Sequence, residues 1–224
     1  MIDYLRMPLI IAIDGPSGAG KGTVARAIAD ALGYRHVDSG AMYRAVGLKA
    51  MQDGVPFDDE AGVAALAERA RIAVSSAEVA IDGVDVTRDI RTPEIDRAAA
   101  AVARLPMVRD VLVARQREMG AGGAIVMEGR DIGTVVFPRA DVKIYLDAAP
   151  EERARRRATD PTHSGPTAVS EVASMLTARD EIDRTRTASP LYAADDAAVI
   201  DTTGKTIAEV ADEVMTVIRK RLRA

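Results

Sequence analysis

Two kinds of apolar pattern alternate along the chain. Residues 9–13 form an unbroken apolar run bounded by Pro8 and by the breakers Asp14, Gly15 and Pro16, the pattern of a strand buried on both faces of a parallel sheet. Similar runs recur at 124–127, 142–146 and 198–200, and they end at Glu128-Gly129, Asp147 and Asp201. Between them, helix-period patterns cover 22–32, 41–51, 108–119, 168–185 and 207–222. Strand and helix in alternation predict an α/β fold with a three-layer, mainly parallel sheet core. Ligands of such sheets gather at the carboxyl ends of the strands, where the acidic and glycine residues fall.

The segment 54–109 breaks this rhythm. A helical stretch at 60–71 is followed by short apolar runs at 72–75, 79–81 and 84–86, the last two joined by Asp82-Gly83. That dipeptide is a type I′ hairpin signal, so a small antiparallel sheet is expected on an inserted lobe. The expected division is core over 1–40, insert over 41–110, core over 111–150, a lid and arginine-rich helix over 151–186, and core over 187–224.

Composition narrows the classes. A net charge of -4 is opposite to the basic footprint that nucleic-acid polymers require. Cysteine is absent and only His36 and His163 are histidine, which excludes disulfides and thiolate metal sites and disfavours a histidine-rich one. The run at 9–13 is too short for a signal segment or a membrane span, so a cytoplasmic location is expected, with no membrane partner. Nothing in the sequence demands an oligomer, and a monomer is expected. Of 30 basic residues only Lys21, Lys49, Lys143, Lys205 and Lys220 are lysine; position must decide which of the many arginines carry function.

The candidate chemistry begins at Gly15-Pro16-Ser17-Gly18-Ala19-Gly20-Lys21-Gly22-Thr23. This stretch follows an expected strand and opens an expected helix, the setting of a P-loop. Its glycines let backbone N–H groups turn toward phosphate oxygens, the helix N-terminus adds partial positive charge, and Lys21 reaches the β and γ phosphates. An ATP-dependent phosphoryl-transfer enzyme is the expectation. The usual Ser or Thr after the lysine, which ligates magnesium, is replaced by Gly22, and no Asn-Lys-x-Asp guanine signature occurs. Gly-Lys-Gly-Thr is the form that resembles nucleoside monophosphate kinases, and it implies Mg2+ held mainly by phosphates and water.

A second segment, Asp38-Ser39-Gly40-Ala41-Met42-Tyr43-Arg44, reads as a strand end and a capped helix. With it the chain resembles the bacterial cytidylate kinases almost end to end. The resemblance continues through Ile90-Arg91-Thr92, Pro106-x-Val108-Arg109, Glu128-Gly-Arg130-Asp131-Ile-Gly-Thr134, Val136-Phe-Pro138, Lys143 to Asp147, and Arg179-Asp-x-x-Asp183-Arg-x-Arg186. It implies that the insert binds a nucleoside monophosphate. It places Arg109, Asp131 and Arg186 at the base, Arg179 and Asp183 near the sugar, and Tyr43, Arg44 and Arg130 at the monophosphate, with Ser39 beside them. A carboxylate at Asp131 suits the N4 amino donor of cytosine, and arginines suit its O2 and N3 acceptors. The implied acceptors are CMP and dCMP. Ala100 stands where the family usually has a serine that bonds cytosine, so weaker discrimination against UMP is expected, by about one neutral hydrogen bond or 1 kcal/mol.

After Asp147, Pro150-Glu151-Glu152 marks a helix start. Arg153, Arg156 and Arg157 then share a face by the i, i+3, i+4 rule. Unpaired, they would repel one another until an anion arrived, which suggests a lid facing phosphate, with Arg153 and Arg157 beside Lys21 and Arg130 as groups that neutralise the moving phosphoryl. Arg179, Asp183 and Arg186 also share a face, with Asp183 set to hold both arginines. The turn-rich stretch 160–166 reads as the lid tip, with His163 exposed rather than catalytic. Two alternatives stay open: a broader UMP/CMP or other monophosphate kinase, and a P-loop regulatory module that binds nucleotide without an acceptor.

Overall fold

A computed structural model of the protein describes residues 7–162 and 168–222; the expected lid-tip residues 163–166, His163 among them, lie outside the described residues. Five strands, β1 (Ile10–Asp14), β2 (Arg35–Asp38), β6 (Ile125–Gly129), β7 (Val142–Asp147) and β8 (Ala198–Asp201), form one parallel sheet in the order β2-β6-β1-β7-β8. The apolar runs dictate this. Ile11 and Ile13 pack to one face against α1 (Lys21–Leu32) and α8 (Ile207–Arg221), while Ala12 and Met127 pack to the other with Val113 of α5 (Pro106–Gly120). Ile13 is fully buried, and truncating such a side chain to alanine costs about 2–5 kcal/mol.

The register brings the strand ends level. Asp14 lies opposite Gly129 on one side and Tyr145 on the other, and Asp38 lies opposite Glu128. The chain leaves β1 toward β2 on one flank and later fills β7 and β8 on the other, so β1 stands at the switch point where a ligand crevice opens.

Between β2 and β6 come α2 (Ser39–Gln52), α3 (Glu60–Arg69), an antiparallel sheet of β3 (Ile72–Val74), β4 (Val79–Ile81) and β5 (Val84–Asp85), and α4 (Pro93–Val102). The hairpin turn has positive φ at both Asp82 and Gly83, as type I′ requires. Helix α4 was not anticipated. Its start is nonetheless written in the chain: Thr92 Oγ1 accepts from Ile95 N at 3.2 Å, Pro93 takes the first turn, and Glu94 and Asp96 favour its positive end. Gly47 lets α2 approach α4 closely, since a Cβ there would lie 3.0 Å from the Ala98 Cβ. Ala98 and Ala99 are therefore first a packing surface for α2.

After β7, α6 (Pro150–Ala158) and α7 (Val169–Thr185) pack through Ala154, Val172 and Leu176. A five-residue π-helical turn, Ile132–Val136, follows β6 and was also not anticipated. Among the described residues no helix is long and apolar enough to cross a membrane.

Candidate active site

The glycine-rich loop lies against the end of β7. Gly15 has φ 147°, and a Cβ there would sit 2.0 Å from the Leu146 carbonyl oxygen, so only glycine fits. Gly20 ends the loop in a left-handed conformation, and α1 starts with no side-chain cap and no acid in its first turn. That leaves a helix N-terminus suited to an anion. Two side chains hold the loop from outside: Arg153 donates to Ser17 O at 3.1 Å and Thr202 donates to Ala19 O at 3.3 Å. Lys21 Nζ donates to Pro16 O at 2.7 Å. Burial, with Arg130 nearby, brings its pKa down to about 7 against the pull of Glu128, Asp38 and Asp14. Thr23 is exposed on the first turn.

Gly22 has a spatial reason. A Cβ at this position would lie 2.9 Å from Glu128 Oε1, so the glutamate carboxylate occupies the place that a Ser or Thr side chain takes in other P-loops. Glu128 is itself held by His36 Nε2 at 3.1 Å. Ser39, expected at the substrate, donates its hydroxyl to the Glu128 carbonyl at 2.7 Å and so ties α2 to β6.

Asp14 joins the loop to the Arg130-Asp131 segment by accepting from Ile132 N at 2.8 Å and Gly133 N at 2.7 Å. Burial pushes its pKa up to about 6 in spite of those two bonds. Beyond it, Arg109 and Asp131 form a buried ion pair, Arg186 Nη2 lies 3.7 Å from Asp131 Oδ1, and the Arg109 guanidinium stands 5.7 Å from the Tyr43 ring centre. The Tyr43 hydroxyl lies beside the Gln116 side chain, and among the described residues Asp183 Oδ1 and Arg186 Nη2 are buried without hydrogen-bond partners, as expected of groups that bond a polar ligand. A cavity of about 430 Å³ opens beside them, lined in part by Arg104, Pro106, Arg186 and Thr187.

Asp183, 1% exposed, gathers three arginines: Arg130 Nε at 3.1 Å, Arg179 Nε at 3.2 Å and Arg186 Nη1 at 3.7 Å. Burial raises its pKa, and the three guanidinium charges more than reverse this, so it stays below the usual carboxylate range. The sequence anticipates two of these partners, and Arg130 is the third. Arg44 pairs with Asp38 at 3.3 Å and Asp96 at 3.1 Å, which hold its proton more firmly than usual against the effect of burial.

One expectation is corrected. Arg153, Arg156 and Arg157 are not an unpaired, self-repelling row. Arg153 pairs with Asp180, Arg156 with Glu152 at 2.8 Å, and Arg157 with Asp96. Asp180 and Asp96 come from other helices, so the i, i+3, i+4 rule within α6 could not reveal them. The residues missed in sequence are carboxylates of this kind: Asp14, Asp38, Glu128, Asp96 and Asp180. Acids at the ends of apolar strands were visible for the first and third, although no role followed from that alone.

A family model described as cytidylate kinase matches residues 11–220. The chain belongs to the cytidylate kinase family. A protein named cytidylate kinase from Solibacter usitatus is 45% identical over 99% of this chain and 97% of its own length. One of the same name from Geobacter sulfurreducens is 46% identical over 98% and 96%. Among solved structures, a gluconokinase from Sinorhizobium meliloti 1021 is similar in fold, with TM-score 0.53 and 17% identity over 97% of this chain and 95% of that one. The family name implies two phosphate-bearing substrates, and the structure has one phosphate loop and a separate arginine-rich pocket.

Proposed function

We propose that the arginine and carboxylate cluster around Tyr43 is the acceptor pocket of an ATP-dependent kinase acting on CMP and dCMP. The enzyme is a nucleoside monophosphate kinase, and ATP is its phosphate donor. The observation that carries the acceptor assignment is the buried set Tyr43, Arg109, Asp131 and Arg186, in which Arg186 Nη2 has no hydrogen-bond partner among the described residues. Asp131 accepts from the N4 amino group of cytosine, and Arg109 and Arg186 donate to its O2 and N3. Arg179 and Asp183 stand at the sugar, Arg44 and Arg130 at the monophosphate with Tyr43 and Ser39 beside them.

The phosphate acceptor is already an anion, so positioning and electrostatic stabilisation carry the reaction. The backbone from Gly15 through Pro16, Ser17, Gly18, Ala19 and Gly20 to Gly22 and Thr23 holds the donor phosphates. Lys21 leaves Pro16 O for the β and γ oxygens. Arg130 and Arg157 face the moving phosphoryl group as α6 and α7 close on the insert over 41–110, and Arg153 secures the loop at Ser17. Closure excludes water that would otherwise take the phosphoryl.

The donor set fits Mg2+ carried by the nucleotide. Gly22 offers no hydroxyl, and among the described residues no group of three or more His, Asp or Glu side chains is arranged to hold a metal. Glu128, at the place of the missing hydroxyl, is the residue suited to order a water of that ion. Bound magnesium would draw charge from the phosphate oxygens.

ADP production from ATP and magnesium, compared with CMP, dCMP, UMP, AMP and GMP side by side, tests the proposal. Cytidine nucleotides should be the best acceptors. A purine nucleotide in first place would overturn the pocket assignment while leaving a kinase.

A further inference from the structure

Asp96 stands in the first turn of α4, where an acid has an ordinary explanation in the helix dipole. Its bonds point elsewhere. Oδ1 accepts from Arg44 Nε of α2 at 3.1 Å, Oδ2 accepts from Arg157 Nη2 of α6, and its carbonyl accepts from Arg179 Nη1 of α7 at 2.6 Å. Arginines from three helices converge on one residue of a fourth. Each also meets another carboxylate: Arg44 reaches Asp38 at 3.3 Å, Arg157 lies 3.9 Å from Asp160, and Arg179 reaches Asp183 at 3.2 Å. Asp96 touches all three.

These arginines belong to different parts of the reaction. Arg44 serves the acceptor phosphate, Arg179 the sugar side, and Arg157 is on the lid helix. Burial disfavours the charge of Arg157, the Asp96 carboxylate favours it, and the Arg44 charge adds a smaller repulsion. An acid among phosphate-binding arginines also repels the incoming phosphate, so affinity is a poor reason for its presence. Its ion pairs are largely buried, with the Asp96 side chain 24% exposed, so a contribution to stability is expected as well, and the melting temperature must be followed beside activity to separate the two.

We propose that Asp96 is a positioning residue that ties the lid arginine Arg157 to the acceptor arginine Arg44, so that both are aimed before the nucleotides meet. This rests on the acceptor pocket described above. Its place on α4 is secured by the tight α2–α4 packing at Gly47 and Ala98, which fixes the distance between acceptor pocket and tether. Asp96 touches no reacting atom in this scheme; it acts through the guanidinium groups it directs.

The variants are Asp96→Ala, Asp96→Asn and Asp96→Glu in the full chain, with two readouts. In steady state, Asp96→Ala should lower kcat by about 10–100-fold, the scale of a misplaced catalytic group. Its KM for CMP should stay level or fall, because a repelling charge has gone. Asp96→Asn should lie between, since its amide N–H₂ must face one of the two guanidinium groups, and Asp96→Glu should recover part of kcat. In hydrogen exchange on the ligand-free protein, α6 amides should exchange faster in Asp96→Ala while α1 is unchanged.

The proposal is overturned by kcat within about twofold of the parent together with unchanged α6 exchange. It is equally overturned by a rise in KM with no loss of kcat, or by activity losses that follow the melting temperature across all three variants. If the parent phosphorylates no monophosphate, the acceptor reading fails by itself. The exchange result on α6 then still decides whether the tether exists.

Discussion

The proposed donor and acceptor halves of this site are made of different material. The donor loop between β1 and α1 is backbone, shaped by glycines and backed by the core sheet; its one mobile ligand, Lys21, rests on the loop's own Pro16 carbonyl. The acceptor half is almost all side chain. Arg44, Arg109, Arg130, Arg179 and Arg186 each meet a carboxylate in the ligand-free protein. A backbone site keeps its shape because the fold enforces it. A pocket of guanidinium groups keeps its shape only if acids hold the cations apart, and those acids must yield when a phosphate or base arrives.

The largest effect should come from removing the acid shared by most arginines. Asp183→Ala leaves Arg130, Arg179 and Arg186 facing one another with Asp183 gone. Breaking a buried pair from one side costs about 3–5 kcal/mol, read by denaturant unfolding, and CMP phosphorylation should fall with it. As a contrast, Asp53→Ala removes the partner of Lys49 at 2.7 Å on the surface and should cost about 1 kcal/mol or less. Equal losses in the two variants would erase the distinction between a buried acid that holds the pocket arginines and a surface ion pair.

Lys21→Met breaks the donor half instead. The loop backbone and the α1 terminus remain, so ATP should still bind and the fold should be unaltered. The charge on the moving phosphoryl loses a donor, and kcat should fall by about 10²–10³-fold. Unchanged turnover would refute the phosphate-loop assignment. The two variants together separate a chemical loss without destabilisation from a destabilisation that carries activity with it.

How much of this could be seen in the chain follows the same division. The donor loop was legible because its residues are contiguous and its strand is a continuous apolar run; β1 and β7 fall within one residue of the pattern. The Asp82-Gly83 hairpin was legible for the same local reason. Helix α4 was less so: it does carry an apolar face, with Ile95, Ala98, Ala99 and Val102 buried, but that face is built mostly of alanine, which marks a core side weakly. The π-helical turn was not legible, since it depends on Asp14, 118 residues away from Ile132 in sequence, accepting its amide. Among the arginines, Asp183 holding Arg179 was readable at i, i+4. The partners of Arg153 and Arg157 lie 27 and 61 residues away, so their charge row was misjudged as unpaired.

A smaller effect sharpens the donor half. With the free Lys21 pKa brought down to about 7 by burial, the amine is mostly neutral at pH 8, by roughly tenfold. Triphosphate oxygens restore the charge, so ATP binding at pH 8 should take up nearly one proton, and at pH 6 the Lys21 contribution should vanish. Above pH 7, ATP affinity should fall with rising pH. Calorimetry in buffers of different ionisation enthalpy measures the uptake, and Lys21→Met supplies the subtraction. Uptake that persists in that variant would place the proton elsewhere.

The smallest expected effect lies at Ala100, where the acceptor half departs from the family pattern. Ala100 is one helical turn beyond Asp96 and shares its face of α4. Ala99, Val102 and Ala103 join the apolar cluster of α2, α3 and α5, and Ala100 does not, although it is only 7% exposed. A serine here would place a hydroxyl on the face that carries Asp96 toward the arginines. In the free protein it can bond back to the Asp96 carbonyl at i−4, which already accepts from Arg179, so the variant should fold with little penalty. With CMP bound, the hydroxyl is available to the base, and one neutral hydrogen bond is worth about 1 kcal/mol, or roughly fivefold. Ala100→Ser should therefore raise the ratio of kcat/KM for CMP over UMP several-fold, through the base alone. An unchanged ratio would mean that Asp131, Arg109 and Arg186 already decide the base and that the α4 face serves the phosphate side only.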